Sequence, residues 1–148
     1  MPRVKLPLPS NFIFTTETCL RVGDINYGGH LGNDSVLSLV HEARVRFLRS
    51  YGWSELDVAG VGTIMTDAII VYKSEAFLGD RIQIRIAVDD FNKYGCDFYY
   101  LLENKTSGRE VARAKTGLAF FDYRSRKLVL VPQDFANAFV TTIAEEAS

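Results

Sequence analysis

The sequence predicts an α+β fold in which a long antiparallel sheet curls around one central helix. Three observations lead there. Only one stretch, 34–52, combines strong helical spacing of apolar residues with a cap-like start and a glycine stop, while nearly everything from 62 to 131 reads as strand. The breaks between those strands are of hairpin length, which implies antiparallel pairing. A sheet with one apolar face and a single amphipathic helix can bury both only against each other. The chain has 148 residues, 47% of them hydrophobic, so residues 1–148 are expected to form a single domain with a core that needs no staples.

The elements follow in order. After a proline-punctuated lead-in, residues 12–22 are rich in β-branched and aromatic types and predict a strand. Residues 23–33 form a loop dense in glycine and asparagine. Asp34 or Ser35 is the expected N-cap of the helix, whose apolar face is Val36, Leu37, Val40, Ala43, Phe47 and Leu48 until Gly52 ends it. Four long strands come next, punctuated at Gly79 and Asp80, at 92–95, at 104–108 and at 124–127. Alternation is clean where Ile82, Ile84, Ile86 and Val88 oppose Arg81, Gln83, Arg85 and Asp89, and again at Phe98, Tyr100 and Leu102. Phe135, Phe139, Val140 and Ile143 have the spacing of a short terminal helix. One sheet edge would stay open, so pairing with a second copy in a symmetric homodimer is expected.

Composition removes several functions. With 17 basic against 18 acidic residues, the chain lacks the cationic surplus that nucleic acid demands. No run of apolar residues is long enough to span a bilayer and the N-terminus is not signal-like, so no membrane partner and a cytoplasmic location are expected. Cys19 and Cys96 offer neither a disulfide framework nor a ligand pair. There is no Gly-x-Ser-x-Gly elbow, no phosphate-binding loop and no Cys-x2-Cys. His41 and Glu42 begin like a zinc-binding helix, but Val45 occupies the position of the second histidine, so no metal is expected; no other cofactor is required either.

The remaining chemistry sits in the loop 21–34. It gathers Asp24, Asn26, His30, Asn33 and Asp34 with four glycines ahead of a helix N-terminus, where unpaired N–H groups and the helix dipole favour a developing negative charge. The run Gly-Asp-x4-Gly-His-x2-Asn, the helical His41-Glu42-Ala43-Arg44 and the later Tyr72-Lys73-Ser74-Glu75-Ala76 with Gly79-Asp80 resemble the hotdog-fold acyl-CoA thioesterases of the 4-hydroxybenzoyl-CoA thioesterase type, over about residues 12–125. The resemblance implies a sheet wrapped round one helix, homodimers or homotetramers with sites at the subunit interface, and hydrolysis of an acyl-CoA or acyl carrier protein thioester. Members with an Asp-x-Asp loop use the second aspartate as nucleophile or base. Here that position is Asn26, and an amide neither takes a proton at neutral pH nor forms an acyl-enzyme as a carboxylate does.

Another base must therefore serve a hydrolase. His30 is the first choice, since histidine as a residue type changes charge near neutrality and this one matches a histidine important in plant acyl-carrier thioesterases. Glu42 on the helix and Glu75, which resembles a strand glutamate of those plant enzymes, are the alternatives; Asp24 belongs to the same candidate group, and Asn26 could orient a water. The resemblance gives the oxyanion contact to the backbone N–H of Asn33, and Gly29 and Tyr27 are expected beside the substrate. Two other functions compete. Asn26 suits a non-catalytic protein that binds an acyl thioester or fatty acid, and hydration of an enoyl thioester would need an Asp and His pair placed for water addition.

Overall fold

In a computed structural model describing residues 3–139, the elements run β1 (Phe14–Cys19), α1 (Asn33–Ser50), β2 (Gly62–Tyr72), β3 (Arg81–Asp89), β4 (Gly95–Asn104), β5 (Glu110–Asp122) and β6 (Lys127–Leu128). A 3-10 turn at Val22–Asp24 separates β1 from the loop. All pairings are antiparallel, in the order β1-β3-β4-β5-β2, with β6 on the end of β5. The expected sheet around one principal helix is the observed architecture.

Register explains the core. Ile84 pairs with Leu102, Ile86 with Tyr100 and Val88 with Phe98, so the alternation in β3 and β4 places one continuous apolar face against α1. Val36, Leu39, Val40, Ala43, Phe47 and Leu48 meet it from the helix. At the far end, residues 133–139 are helical, and Phe135 closes the sheet with rings of Phe98, Phe120 and Trp53 around it. Val140 and Ile143, assigned to the same terminal helix from sequence, lie outside the described residues. Where β4 crosses β5, a Cβ at Gly95 would stand 1.9 Å from the carbonyl oxygen of Leu118, so only glycine allows that approach.

Two details differ from expectation. The helix N-cap is Gly32, two residues before Asp34 and three before Ser35. Gly32 is buried with its N–H donated to the Asp24 carbonyl at 2.9 Å, a non-local bond that sets where the chain enters the helix. The second is a cation in the core. Arg44 is 5% exposed; its Nη1 donates to the Tyr100 hydroxyl at 3.1 Å, and Glu55 stands 3.9 Å from Nη2. The Tyr100 hydroxyl also bonds Thr116 Oγ1 at 2.8 Å, and burial pushes its titration above the ordinary phenol range, keeping it neutral. Tyr100→Phe removes the group that both partners use, so chemical denaturation should show a loss of about 1–3 kcal/mol.

Among the described residues, no helix is long and apolar enough to cross a membrane.

Candidate active site

The loop before α1 is shaped by its own polar side chains. Asn26 Oδ1 accepts the N–H of Gly28 at 2.9 Å and of His30 at 3.3 Å, while the Asn26 N–H donates to the His30 carbonyl at 2.8 Å. Gly29 sits at φ +87, a left-handed conformation that glycine adopts without strain. A tight turn results, with Ile25 bridged to Leu31 at its base.

A second segment then zips onto this turn. His30 bridges Phe77, and the Leu31 N–H donates to the Ala76 carbonyl at 2.8 Å. The Tyr72 hydroxyl reaches the Asn33 carbonyl at 3.1 Å, tying the end of β2 to the first turn of α1. These cross-links bring the run that follows β2 against the helix entrance. A cavity of about 260 Å³ lies between them, lined by Asn26, His30, Asn33, Tyr72, Lys73, Ser74 and Glu75 over an apolar floor of Leu31, Val36 and Val111.

Inside it, His30 Nε2 stands 3.7 Å from Glu75 Oε1, an ion-pair distance longer than a hydrogen bond. The imidazole is 40% exposed and packs edge-on against Phe77 at 5.8 Å between centroids. Asn33 is the first residue of α1, where backbone N–H groups have no intrahelical acceptor and the positive end of the dipole lies. His30, the Glu75 carboxylate beside it and the first residue of α1 thus line one cavity.

The other sequence-derived candidates lie elsewhere. Asp24 Oδ2 accepts the Arg21 N–H at 2.8 Å and the residue caps the 3-10 turn, outside the cavity lining. Glu42 is paired with Arg46 at 3.4 Å on α1, and Arg46 in turn donates to Thr16 Oγ1 and the Glu17 carbonyl, so Glu42 faces the β1 side of the molecule. Tyr27 projects fully into solvent, and Gly29 serves the turn rather than the cavity wall. Tyr72, Lys73 and Ser74 line the site without having been assigned a role. Their adjacency to Glu75 was the available signal; that the run crosses the helix entrance depends on long-range pairing. Cys96 is 1% exposed and burial pushes its thiol well above the ordinary range, so it supplies no thiolate nucleophile. Among the described residues, no group of three or more His, Cys, Asp or Glu side chains is placed to hold a metal ion.

The sequence profile of the thioesterase-like superfamily matches residues 20–139, from the end of β1 through the aromatic closure of the sheet. The chain belongs to the thioesterase-like superfamily. No curated protein matches it in sequence. Among solved structures it is similar to a 1,4-dihydroxy-2-naphthoyl-CoA thioesterase from Synechocystis, at 23% identity and a TM-score of 0.78, over 86% of this chain and 95% of that one. A thioesterase-superfamily protein from Jannaschia sp. CCS1 superposes with a TM-score of 0.79 at 15% identity, covering 90% of this chain and 84% of that one. At such identities the structural likeness establishes the hotdog fold, and membership of the superfamily supports thioester hydrolysis in general.

Proposed function

We propose that this thioesterase-like superfamily member hydrolyses an acyl-CoA thioester, with His30 as general base. The observation that carries the proposal is the convergence of His30, Glu75 and the Asn33 end of α1 on one cavity. The thioester carbonyl sits with its oxygen toward the Asn33 N–H, and the acyl group lies over Leu31, Val36 and Val111. Water attacks the carbonyl carbon while His30 takes its proton, and the negative charge passes to the oxygen held at the helix N-terminus. The carbon–sulfur bond then breaks, the imidazolium returns the proton to the thiolate, and acid and thiol leave. Glu75 orients the ring.

Asn26 is a positioning residue in this scheme. Its side-chain oxygen holds the His30 backbone, which fixes where the imidazole starts. A carboxylate oxygen accepts the same N–H groups, so Asn26→Asp is expected to keep the fold and at least the wild-type rate. Asn26→Ala loses the turn and should lower stability by about 1 kcal/mol, with kcat falling alongside. Thermal melts and thiol release on the two variants check this.

Two copies are placed side by side through β2. It is the longer of the two terminal strands of the sheet, 11 residues against 6 in β1, and leaves one row of backbone groups open for pairing. A dimer or tetramer in sedimentation supports this; a monomer at working concentrations sinks it. The balanced charge and the absence of a long apolar helix among the described residues fit action on a water-borne substrate in the cytoplasm, without nucleic acid.

The reaction is tested by thiol release from short, long and aromatic acyl-CoAs between about pH 6 and pH 9. Release above the buffer rate is the expected result. Stoichiometric binding with the thioester left intact overturns hydrolysis and establishes instead the non-catalytic binding function that Asn26 favours.

A further inference from the structure

We infer that Arg113 is a positioning residue that ties the N-terminal arm to the segment carrying Glu75, so that a seated arm fixes where the Glu75 carboxylate meets His30, an inference whose kinetic consequence rests on the proposed hydrolysis. At 65% exposure and 3.7 Å from His30, the Glu75 side chain does little to hold itself. Its aim is set by the backbone that carries it.

That backbone leans on a β-bulge. The β4–β5 register slips where Leu102 faces Ala112 but Glu103 faces Glu110, so Val111 has no residue opposite it in β4. Its carbonyl accepts two N–H groups, that of Lys73 at 2.9 Å and that of Ser74 at 3.2 Å, and Val111 is also part of the cavity floor. The Ser74 hydroxyl adds a third bond, donating to the Glu110 carbonyl at 2.7 Å. Glu75 comes next, and Ala76 accepts the Leu31 N–H at 2.8 Å. Glu75 is therefore slung between the bulge on one side and the His30 loop on the other.

Arg113 braces the bulge from β5 and reaches the arm at the same time. Its Nε donates to Glu110 Oε1 at 2.7 Å and its Nη1 to the Leu6 carbonyl at 2.8 Å. A planar guanidinium presents such donors in fixed relative geometry, which an ammonium cannot do. Both partners of the pair are about three-quarters buried, at 24% and 27% exposure, so these charge-assisted bonds are less screened than a surface pair. Leu6 is buried, and arm residues 3–7 share a cleft with residues 70–73 at the end of β2. The path from arm to site runs through Leu6, Arg113, Glu110, Ser74 and Glu75. An arm that leaves its seat takes away one of the two acceptors of Arg113, which loosens Glu110 and with it the support of Ser74 and Glu75.

Amide exchange read by NMR on the full chain tests the tie without any turnover. Arg113→Gln and Leu6→Ser should each speed exchange at Lys73, Ser74 and Leu31 at least roughly tenfold, while Tyr100 in β4 stays within about threefold of wild type. Arg113→Lys keeps the charge without the fork and should behave as Arg113→Gln does. Arg81→Gln, which breaks an exposed pair with Glu17 at the other edge of the sheet, should change none of these rates. In thiol release, Arg113→Gln should lower kcat by roughly threefold to twentyfold at unchanged KM. It should cause no further fall in a Glu75→Gln background, because it acts through that carboxylate alone. Unchanged exchange at Ser74 in Arg113→Gln, an equal acceleration at Tyr100, or a kcat loss that adds to that of Glu75→Gln would each overturn the assignment. A wild type that releases no thiol refutes the proposed reaction, and exchange then decides the tie: faster Ser74 in Arg113→Gln sustains it, and an unchanged rate ends it.

Discussion

His30→Ala is expected to lower kcat for acyl-thioester hydrolysis by about 10²- to 10⁴-fold, the contribution a positioned acid or base typically makes. The change removes a ring and little structure. The loop keeps its shape through the backbone bonds of Asn26, His30 and Leu31, and the imidazole forfeits only its edge contact with Phe77 and the 3.7 Å approach to Glu75. The melting temperature should therefore stay close to wild type while turnover collapses. Glu75→Gln keeps the shape but removes the charge 3.7 Å from the ring, so a smaller fall in kcat is expected. Stopped thiol-release assays measure both. Unchanged kcat in His30→Ala would exclude it as the base.

The sequence made the frame legible and left the convergence of the site hidden. Period-two alternation in β3 and β4 reports burial directly, because each strand residue's face is set by its parity once one face is covered. The loop was legible for a local reason too: glycine, asparagine and histidine ahead of a helix start make a turn whose bonds span only residues 26–30. Which carboxylate His30 would meet was not local. Glu42 is nearer in sequence, yet its place on α1 gives it to Arg46; Glu75 reaches the imidazole because the chain after β2 pairs across the loop at Phe77 and Ala76. The start of α1 failed to show for the same reason, since the Gly32 N–H answers to Asp24 rather than to a neighbouring side chain. Arg44 hid differently. It falls one turn after Val40 on the buried side of the helix, but a guanidinium there needs Tyr100 and Glu55 beside it, and neither is deducible from helical spacing.

The cost of the aromatic core can be stated equally sharply: Phe47→Ala should destabilise the chain by about 3–5 kcal/mol. Phe47 is fully buried on α1 and holds four other rings, with centroids at 5.5 Å to Phe14 and Tyr51 and 5.6 Å to Phe98 and Phe139. It therefore joins β1, β4, the helix C-terminus and the segment that closes the sheet, so no single element can relax into the vacated space. Against a total stability of the order of 5–15 kcal/mol this loss is a large fraction, and the melting temperature should fall by roughly 10 °C or more. Val22→Ala, an exposed apolar truncation at 77% accessibility, should stay within about 0.5 kcal/mol. Denaturant titration would show the Phe47 effect as a lower midpoint at unchanged slope. Turnover per folded molecule should hold well below the midpoint, because the loop that carries His30 meets α1 at Asn33, nearly four turns from Phe47. A loss under about 1 kcal/mol would mean the rings repack around the void, and that the closing segment rather than α1 bears the core.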